Sequence, residues 1–450
     1  MKKVVLYSSN TRNRAKSHFL EVFPKWNALW EAAAERYTEL EITVVLQLNN
    51  RYYLDFKDGE PAGYPKGIKM VVLPNDATIP DFLRAIEGEK PDVAVAITHP
   101  ISGYDWNGIR DAVIAESLRD DGITAICYGY PAALLCFDKN KTFQVMRDNR
   151  FRVSNAVLVE HELFTVKGAE CGSTLNAYQE SILWKIRKLM PVIIKNASGS
   201  GSVGIRVFRD YEEAKAFLLS EAFDKNVIVE QLLEGDEYGI EIHGCGGKYI
   251  VSPPYRKLSY ESGEVNDPLG AATLKYGPVI SDKINTEALR AEMLRLANLF
   301  RLTGIVNLDL FYVNGEWYIL DINSRWSGIT SLVTASQGRS AYEVFLDQVM
   351  EDDRGLNDWS KWKYCCQFKI PQSEGVDFGK LVADGDLSSV SHEEIMIGGE
   401  KRWYNDAVTA TYDSLEALAE GFEKLRAKYP EILCEKSVKA LENDIQVRLR

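Results

Sequence analysis

The sequence is poor in the features that mark nucleic-acid-binding, membrane-spanning and secreted proteins. It carries 53 Lys and Arg residues against 65 Asp and Glu, a formal net charge of −12, which excludes a strongly basic nucleic-acid binder. The longest weakly polar run, residues 125–137, contains Gly129 and Pro131 and falls short of the roughly 18 to 20 residues that a membrane span needs. We therefore expect neither nucleic acid nor a membrane among its partners.

Cysteine is scarce, and no secretory leader is expected at the amino terminus. The seven cysteines are an odd number without metal-type spacing, which favours a reducing compartment over a disulfide framework. The apolar stretch at residues 4–7 is too short for the core of a leader, and it predicts a buried strand instead. These features predict a cytoplasmic protein.

The first third of the chain lacks the main signal of a dinucleotide-binding fold, because no Gly-x-Gly-x-x-Gly follows the first strand. It instead alternates β-branched runs with helix-like stretches, which predicts a parallel sheet with helices on its faces. The predicted strands are 3–7, 41–46, 69–73 and 92–97, and the predicted helices are 79–87 and 108–120.

The pattern changes after about residue 138, where strands and helices no longer alternate regularly. Strands are predicted at 191–195, 204–208, 226–231, 238–243, 304–313 and 316–323, and helices at 211–219 and 286–300. A third unit begins near residue 351 and ends in a helix at 414–428. The predicted fold class is α/β with an α+β extension, in three domains at 1–137, 138–350 and 351–450.

A loop of small residues, 196–204, follows Lys195 and lies between two apolar runs. Small residues let backbone N–H groups surround phosphate oxygens, and a lysine at the strand end adds a compact positive charge. The loop is not a Walker A loop, since no Gly-Lys-Ser/Thr follows. A flexible hairpin loop beside a surface lysine is the alternative interpretation.

A second candidate is the apolar strand 227–233, which runs into an acidic turn at 234–237. The backbone at such a strand end can read the edge of an adenine, and Glu237 can accept hydrogen bonds from ribose hydroxyls. A solvated acidic turn is the alternative.

The third candidate is a hairpin at 306–323, in which two alternating strands flank Asn314-Gly315. A three-residue loop with a bulge would set residue 309 opposite 319 and residue 307 opposite 321. Asp309, Asp321 and Asn323 would then share one face, as Mg²⁺ ligands require, whereas a two-residue turn would separate the aspartates. Phe311 and Ile319 would project from that face toward a purine. The alternative is a sheet face with solvated polar residues.

These three motifs, in this order, resemble the ATP-grasp superfamily. Upstream, residues 99–106 and Phe137-Asp138-Lys139 are similar to motifs of D-alanine:D-alanine ligases, so the resemblance covers about residues 90–345. The ending Asn323-x-Arg325-x-Ser327-Gly328 and the carboxyl-terminal unit look instead like the L-amino acid ligases and carboxylases. The resemblance implies an ATP-grasp fold at 138–350, with a nucleotide lid at about 190–232, a parallel amino-terminal domain and an α+β carboxyl-terminal extension.

The resemblance also implies roles for individual residues. Those implied for ATP binding are Lys139, Lys195, Ser200, Gly201, Ser202, Glu230, Gln231, Leu232, Leu233, Glu237, Phe311 and Ile319. Those implied for Mg²⁺, with Mn²⁺ as an alternative, are Asp309, Asp321 and Asn323. Lys257 would reach the transferred phosphoryl group and Arg325 would hold a carboxylate or an oxyanion, so these two are the catalytic candidates.

Three departures bear on the substrate. The D-alanine ligases usually carry Glu where Asp321 stands, Arg where Asn307 stands and Glu in the position of Tyr104, so D-alanine itself is not expected. No biotin-acceptor segment is present in the sequence, and carboxylation is not expected.

The implied activity is an ATP-dependent carboxylate–amine ligase that forms an amide or peptide bond through an acyl phosphate and releases ADP and phosphate. Its partners would be a small-molecule carboxylate and an amine, and His18, His99 and His243 are interpreted as structural or substrate-side residues. A phosphotransferase acting on a small molecule and a nucleotide-binding module without turnover are the two alternatives. The substrates, their stereochemistry and the oligomeric state stay open, with a homodimer as the commonest assembly.

Overall fold

A computed structural model describes residues 1–9, 18–48, 53–57, 60–97, 107–166, 175–198, 205–259, 273–370, 376–397, 400–404, 406–430, 432–433 and 435–449. None of the helices in these ranges is both long and apolar enough to cross a membrane.

The strands are numbered in chain order over the described residues. They are β1 (Lys2–Ser8), β2 (His18–Phe23), β3 (Leu40–Gln47), β4 (Phe56–Lys57), β5 (Glu60–Pro61), β6 (Lys69–Leu73), β7 (Val93–Ala96), β8 (Thr124–Ile126), β9 (Ala156–Val159), β10 (Val192–Asn196), β11 (Arg206–Phe208), β12 (Val227–Gln231), β13 (Asp236–Cys245), β14 (Lys248–Val251), β15 (Tyr255–Ser259), β16 (Thr273–Gly277), β17 (Gly304–Val313), β18 (Glu316–Asn323), β19 (Tyr364–Lys369), β20 (Ser389–Ile397), β21 (Glu400–Tyr404) and β22 (Ala407–Tyr412).

The α-helices are numbered in the same way. They are α1 (Trp26–Arg36), α2 (Ile79–Gly88), α3 (Asn107–Asp120), α4 (Tyr130–Phe137), α5 (Lys139–Asp148), α6 (His161–Phe164), α7 (Ala177–Leu189), α8 (Tyr211–Leu218), α9 (Thr286–Phe300), α10 (Thr330–Gln337), α11 (Ala341–Met350), α12 (Phe378–Val382), α13 (Leu415–Lys428) and α14 (Glu435–Leu449).

The amino-terminal sheet is parallel, in the order β6-β3-β1-β7-β8, as the alternating pattern predicts. Both faces of its central strand are buried, which explains the unbroken apolar run at its start. Val4 and Leu6 pack in one cluster with Trp30 of α1, and Val5 and Tyr7 pack in another with helices α2 and α3. The α/β expectation for this part of the chain is therefore confirmed.

A second, smaller sheet is antiparallel and has the order β11-β10-β12-β9. Helices α7 and α8 cover one of its faces, where Ile182 and Ile186 of α7 and Leu218 of α8 pack with the strands. The sheet takes in β9, which lies upstream of the 190–232 range expected for the lid.

The large sheet has the order β18-β17-β13-β15-β16-β19-β22-β20-β2, with β14 beside β13 and β21 beside β20. Two of its pairings join distant parts of the chain, since β16 pairs with β19 and β2 pairs with β20. Hydrogen-bonded strands therefore cross the boundaries proposed at 137/138 and 350/351, and those boundaries remain proposals.

Helix α11 connects the large sheet to the amino-terminal sheet. Its start is fixed by a capping box in which Ser340 and Glu343 each bond the other's backbone N–H. Tyr342 of α11 stacks on Trp30 of α1 with ring centroids 3.8 Å apart. This packing holds the amino-terminal sheet beside the loop that follows β18.

The carboxyl-terminal end differs from the prediction by one helix. Helix α13 was expected, but a second helix, α14, follows it. Leu441 and Ile445, spaced by one turn, are its buried apolar residues in the main core.

Candidate active site

The hairpin of β17 and β18 turns through two residues rather than three. Val313 pairs with Glu316, and Asn314 and Gly315 both have positive φ, 50° and 86°. Asparagine and glycine tolerate this conformation, and a two-residue turn of this kind matches the right-handed twist of the flanking strands. The predicted three-residue loop is therefore wrong.

A bulge nevertheless brings the two aspartates together. Leu310 pairs with Ile319, but the register shifts at the next position so that Asp309 lies directly opposite Asp321. The extra residue on β18 is Leu320, and an inserted residue moves every later side chain to the other face. The prediction that the aspartates share a face is confirmed, although the pairings that were expected to produce it, 309 with 319 and 307 with 321, are wrong.

The same register corrects the position of Ile319. It lies opposite Leu310 and is 3% exposed in the main core, so it does not share the face of Asp309. Phe311 does share that face, since it lies two residues from Asp309 on the same strand, and its cross-strand neighbour is Tyr318. The proposed contact of a purine with Ile319 does not fit this geometry.

Each aspartate of the hairpin forms an ion pair with a lysine from another part of the chain. Lys139 Nζ lies 2.5 Å from Asp321 Oδ2, and Lys257 Nζ lies 2.5 Å from Asp309 Oδ1 and 3.2 Å from Glu237 Oε1. The two carboxylates that are candidate cation ligands, Asp309 and Asp321, are thus paired with lysine ammonium groups in this structure. The arrangement places alternating charges where phosphates and a metal would meet.

The charges shift the ionisation of the central pair. Burial alone would raise the pKa of Asp309, but the Lys257 ammonium, with Arg325 and Lys139, outweighs it and holds that pKa below its ordinary value. Burial would lower the pKa of Lys257, and Asp309 and Glu237 raise it instead. Both groups are therefore charged at neutral pH.

Lys139 reaches Asp321 because of how helix α5 begins. The Asp138 side chain caps this helix by accepting a hydrogen bond from the backbone N–H of Lys141. The backbone N–H of Lys139 donates to the carbonyl of Ala197, and Asp138 forms an isolated β-bridge with Ser198. The start of the small-residue loop thus lies beside the start of α5. Ser200, Gly201 and Ser202 lie outside the described residues.

Lys195 is held by a buried carboxylate on the neighbouring strand. Its Nζ lies 3.1 Å from Glu230 Oε2, which also accepts a hydrogen bond from the Ser154 hydroxyl at 3.2 Å. The side chain of Glu230 is only 3% exposed. The Glu230 carboxylate therefore positions Lys195. Because this carboxylate is buried, a ligand next to β12 would contact the backbone of the strand rather than the Glu230 side chain.

The backbone that follows β12 is partly engaged. The N–H of Gln231 donates to Asn155 O and the N–H of Leu232 donates to Pro191 O, both at 2.8 Å. In the part of the chain that the structure describes, the N–H of Leu233 makes no hydrogen bond. Of these three donors, Leu233 is the one that can serve a ligand without breaking an existing bond.

Strand β13 carries a glycine under the Lys257 side chain. A Cβ atom on Gly239 would lie 2.8 Å from Ile329 Cδ1 and 3.1 Å from Lys257 Cε. Gly239 pairs with Asp309 on one side and with Tyr255 on the other. The missing side chain leaves the space through which Lys257 reaches Asp309.

Arg325 lies in the loop after β18, and its Nη2 donates to the side-chain oxygen of Asn323 at 3.1 Å. A buried carboxylate fixes this loop, since Glu241 accepts hydrogen bonds from the hydroxyls of Thr330, at 2.5 Å, and Ser327, at 3.2 Å. Its other oxygen lies 2.8 Å from His243 Nε2. Glu241 therefore positions the loop that carries Arg325.

The same buried network extends away from the site. His243 Nδ1 lies 3.2 Å from Arg339, which pairs with Asp347 at 2.5 Å, and Tyr37 of α1 donates to that aspartate. Burial lowers the pKa of His243 despite the Glu241 carboxylate, so the imidazole is neutral. His243 thus has a structural role, which is one of the two interpretations, structural or substrate-side, that the sequence leaves open.

Sequence reasoning missed Glu241, although β13 carries a signal. Residues 237, 239, 241 and 243 are polar or glycine and alternate with Tyr238, Ile240 and Ile242. This period-two pattern places Glu241 on the same side as Glu237, which was chosen as a candidate. The burial of Glu241 depends on tertiary contacts, which the alternating pattern does not predict.

A cavity adjoins Arg325 at the carboxyl ends of strands β7 and β8. Its lining includes Ile97, Asp111, Tyr128, Ser324 and Arg325. Asp111 is 1% exposed and accepts a hydrogen bond from the Ser9 hydroxyl. The segment 99–106, which contains His99 and Tyr104, lies outside the described residues.

The oxygen ligands on the hairpin suit a hard cation that takes its remaining ligands from a second molecule and from water. In the described ranges no cluster of three or more His, Cys, Asp or Glu side chains could hold a metal ion. Asp309, Asp321 and Asn323 supply two carboxylates and one amide, and Asn323 Nδ2 lies 3.5 Å from Asp309 Oδ2. Mg²⁺ is typically held by one or two carboxylates together with substrate phosphates and water, which matches this set.

Comparison with known proteins finds a domain family that matches the central part of the chain. A model of the ATP-grasp domain matches residues 136–329. The chain is 23% identical over 246 residues to the carbamoyl-phosphate synthase of Methanobrevibacter smithii, a match that covers 54% of the chain and 63% of that protein. It is 24% identical over 257 residues to D-alanine–D-alanine ligase B of Clostridium tetani, with 54% and 67% covered.

Solved structures share the whole fold. The L-amino acid ligase from Bacillus licheniformis superposes with a TM-score of 0.62 at 14% identity, covering 96% of the chain and 97% of that structure. The carboxyaminoimidazole ribonucleotide synthetase from Thermus thermophilus gives 0.61 at 14% identity, with 94% and 98% covered. Residues 136–329 thus match the ATP-grasp domain family, and the chain as a whole shares the fold of these two solved structures.

Proposed function

We propose that the protein is an ATP-dependent ligase that joins a small carboxylic acid to an amine through an acyl phosphate. The observation that carries this proposal is the pair of facing aspartates, each bound to a lysine at 2.5 Å. Two carboxylates and two ammonium groups at one end of a hairpin form a site for a metal-bound triphosphate. The relatives named above are ligases or synthases, which supports the class of reaction.

Asp309, Asp321 and Asn323 would hold Mg²⁺ in this proposal. Such an ion neutralises phosphate charge and orients the terminal phosphoryl group. Lys139 and Lys257 lie on the aspartates already, so each needs only a small movement to exchange its carboxylate for a phosphate oxygen. Lys195, fixed by Glu230, would hold phosphate from the side of the small sheet.

The remaining nucleotide contacts follow from the backbone. The free N–H of Leu233 is the donor best placed for an adenine edge, next to Gln231 and Leu232, whose donors are engaged. Glu237 is 32% exposed and would bind ribose hydroxyls while its other contact, Lys257, turns to phosphate. Phe311 offers an aromatic face to the base on the side of Asp309.

Arg325 would hold the carboxylate that attacks the terminal phosphoryl group. Its guanidinium is oriented by Asn323 and its loop is tied to Glu241, so little ordering is needed when the acid binds. The lysines then balance the charge that develops on the phosphoryl oxygens, and an amine displaces phosphate from the acyl phosphate.

The charges near Arg325 favour an amino-acid-like substrate. Among the described residues that line the adjoining cavity are one guanidinium, Arg325, and one buried carboxylate, Asp111, whose charges complement those of an amino acid. Asn307, opposite Asn323, stands where the D-alanine ligases usually have arginine, so we do not propose D-alanine as the substrate.

The test is a pairwise screen of amino acids as acid and amine donors, with ATP and Mg²⁺, that measures phosphate release and product mass. Hydroxylamine in place of the amine should trap the acyl phosphate as a hydroxamate. A phosphorylated product without an amide would favour phosphotransfer to a small molecule. ATP binding without substrate-dependent ADP release would leave a nucleotide-binding module.

A further inference from the structure

A row of side chains crosses six strands of the large sheet on the face that carries Asp309. The residues are paired from strand to strand in the order Phe311, Glu237, Lys257, Lys275, Gln367 and Thr409. Directly paired residues share a face, so the row is continuous. It runs from the expected base end of the nucleotide site into the carboxyl-terminal part of the chain.

Lys275 differs from the other lysines of the site in its partners. It is 8% exposed, and its Nζ lies 2.6 Å from the carbonyl oxygen of Gly328 and 3.4 Å from Gln367 Oε1. Among the described residues no carboxylate lies within ion-pair distance of it. Lys139, Lys195 and Lys257 each have such a carboxylate.

The two acceptors leave one direction at the nitrogen unused. A neutral amine has two N–H bonds and one lone pair, and the carbonyl of Gly328 and the amide oxygen of Gln367 account for the two N–H bonds. The lone pair is then available to receive a proton. Both acceptors also stabilise the ammonium that forms when it does.

The charges around Lys275 favour its neutral form. Burial, together with the Lys369 and Lys257 ammonium groups, lowers the pKa of Lys275 to about 7, although Asp309 and Glu237 act in the opposite direction. These four groups face it from strands β19, β15, β17 and β13. A base that is half deprotonated near neutral pH is best suited to proton transfer.

The position of Lys275 is between two parts of the site. Its register partner Lys257 reaches Asp309, and its acceptor Gly328 ends the loop that carries Arg325. Lys275 is thus hydrogen-bonded to a residue three positions from Arg325 and paired with the lysine that reaches Asp309. Sequence reasoning missed it because the chain from 257 to 278 reads as a long loop, whereas 273–277 is strand β16.

We propose that Lys275 is the catalytic base that takes a proton from the attacking amine. This rests on the proposed ligase function. The amine nitrogen forms a bond to the acyl carbon, and the bond from that carbon to the phosphate oxygen breaks, with the electron pair leaving on phosphate. The proton released by the amine nitrogen passes to the Nζ lone pair, so the products are a neutral amide, phosphate and the Lys275 ammonium.

The experiment separates the two halves of the reaction in the full-length protein. Hydroxylamine is unprotonated at pH 7 and unusually nucleophilic for its basicity, so it attacks an acyl phosphate without general base catalysis. Lys275→Met should therefore keep acid-dependent hydroxamate formation within about twofold of the parent. Amide formation with an amino acid should fall about a hundredfold, the lower range for loss of general base catalysis. Lys283→Met, a change at an exposed lysine, is the control and should leave both rates unchanged.

Three results would overturn the assignment of Lys275. They are amide formation at the parental rate in Lys275→Met, loss of the hydroxamate together with the amide, and an unchanged pH profile in Lys369→Met. Lys369→Met removes a neighbouring positive charge, so the acidic limb of amide formation should move to higher pH. If the parent protein forms no hydroxamate and no ADP with any acid, the ligase proposal itself has failed.

Discussion

Asp309 and Asp321 face each other across the β17–β18 hairpin, although the turn that joins their strands has the wrong length to align them. The bulge at Leu320 shifts the register of the two strands by one residue, so that Asp309 pairs with Asp321. A bulge also increases the local twist and re-aims the side chains beyond it, and such features are common beside active sites. The metal-binding geometry of this hairpin thus depends on one inserted residue.

The carboxylate of Asp321 should be required for turnover but not for folding. Asp321→Asn keeps the shape of the side chain and removes its charge, so it should lower ATP-dependent phosphate release at least a hundredfold. Thermal unfolding should show little change, because the side chain is partly exposed. Glu316→Gln, at an exposed ion pair on the same hairpin, is the matched control and should be fully active. An active Asp321→Asn variant would contradict the metal assignment.

Gly239 should be required for the Lys257 side chain to reach Asp309. Gly239→Ala would place a methyl group 2.8 Å from Ile329 and 3.1 Å from Lys257, and overpacking of this kind costs about 1–3 kcal/mol. We expect a measurable loss of stability and a weaker affinity for ATP, measured by calorimetry. Gly385→Ala, where a Cβ meets open space, should change neither quantity. Unchanged nucleotide affinity in Gly239→Ala would separate Lys257 from phosphate binding.

The hydroxyl of Thr330 should link the stability of the Arg325 loop to activity. Thr330→Val removes the hydrogen bond to Glu241 and leaves part of a buried carboxylate unsatisfied, which costs about 1–3 kcal/mol. The KM for the acid substrate should rise as the loop loosens. Thr165→Val, at an exposed threonine, serves as the comparison in urea unfolding and steady-state kinetics. Equal KM values in the two variants would argue against a positioning role for Glu241.

The buried lysine should also give a pH-dependent stability. Between the folded pKa of Lys275, about 7, and its ordinary value of 10.5, the unfolded chain binds more protons than the folded chain. The free energy of unfolding therefore rises with pH across this window, and the full penalty is present below pH 7. Lys275→Met should flatten this rise and be more stable below pH 7 by as much as ~5 kcal/mol, the free energy that corresponds to the difference between a pKa of about 7 and the ordinary 10.5. Parallel stability curves for the variant and the parent would contradict the burial of a neutral lysine.

Much of the fold follows from local patterns in the sequence. The strand at 69–73 and the hairpin strands at 304–313 and 316–323 have the predicted bounds. These segments carry strong alternation or unbroken β-branched runs, so tertiary context has little to change. The dipeptide Asn314-Gly315 also predicts the hairpin turn correctly.

What the sequence could not predict depends on contacts between distant segments. The bulge at Leu320 has no glycine or other mark, so the face of Ile319 was assigned wrongly. Lys275 looks like any surface lysine until β16 is seen to pair with β15 and β19. Glu241 becomes a positioning residue only because the loop at 327–330 folds over it. In each case the local residue types were visible and the burial was not.

The pairing of β2 with β20 sets an order of events during synthesis. Residues 18–23 leave the ribosome long before their hydrogen-bonding partner, which lies within residues 389–397. Contacts of such long sequence separation form late and slow the completion of folding. The amino-terminal sheet can close early, but the edge strand β2 must wait, exposed and open to mispairing, until residues 389–397 have been translated.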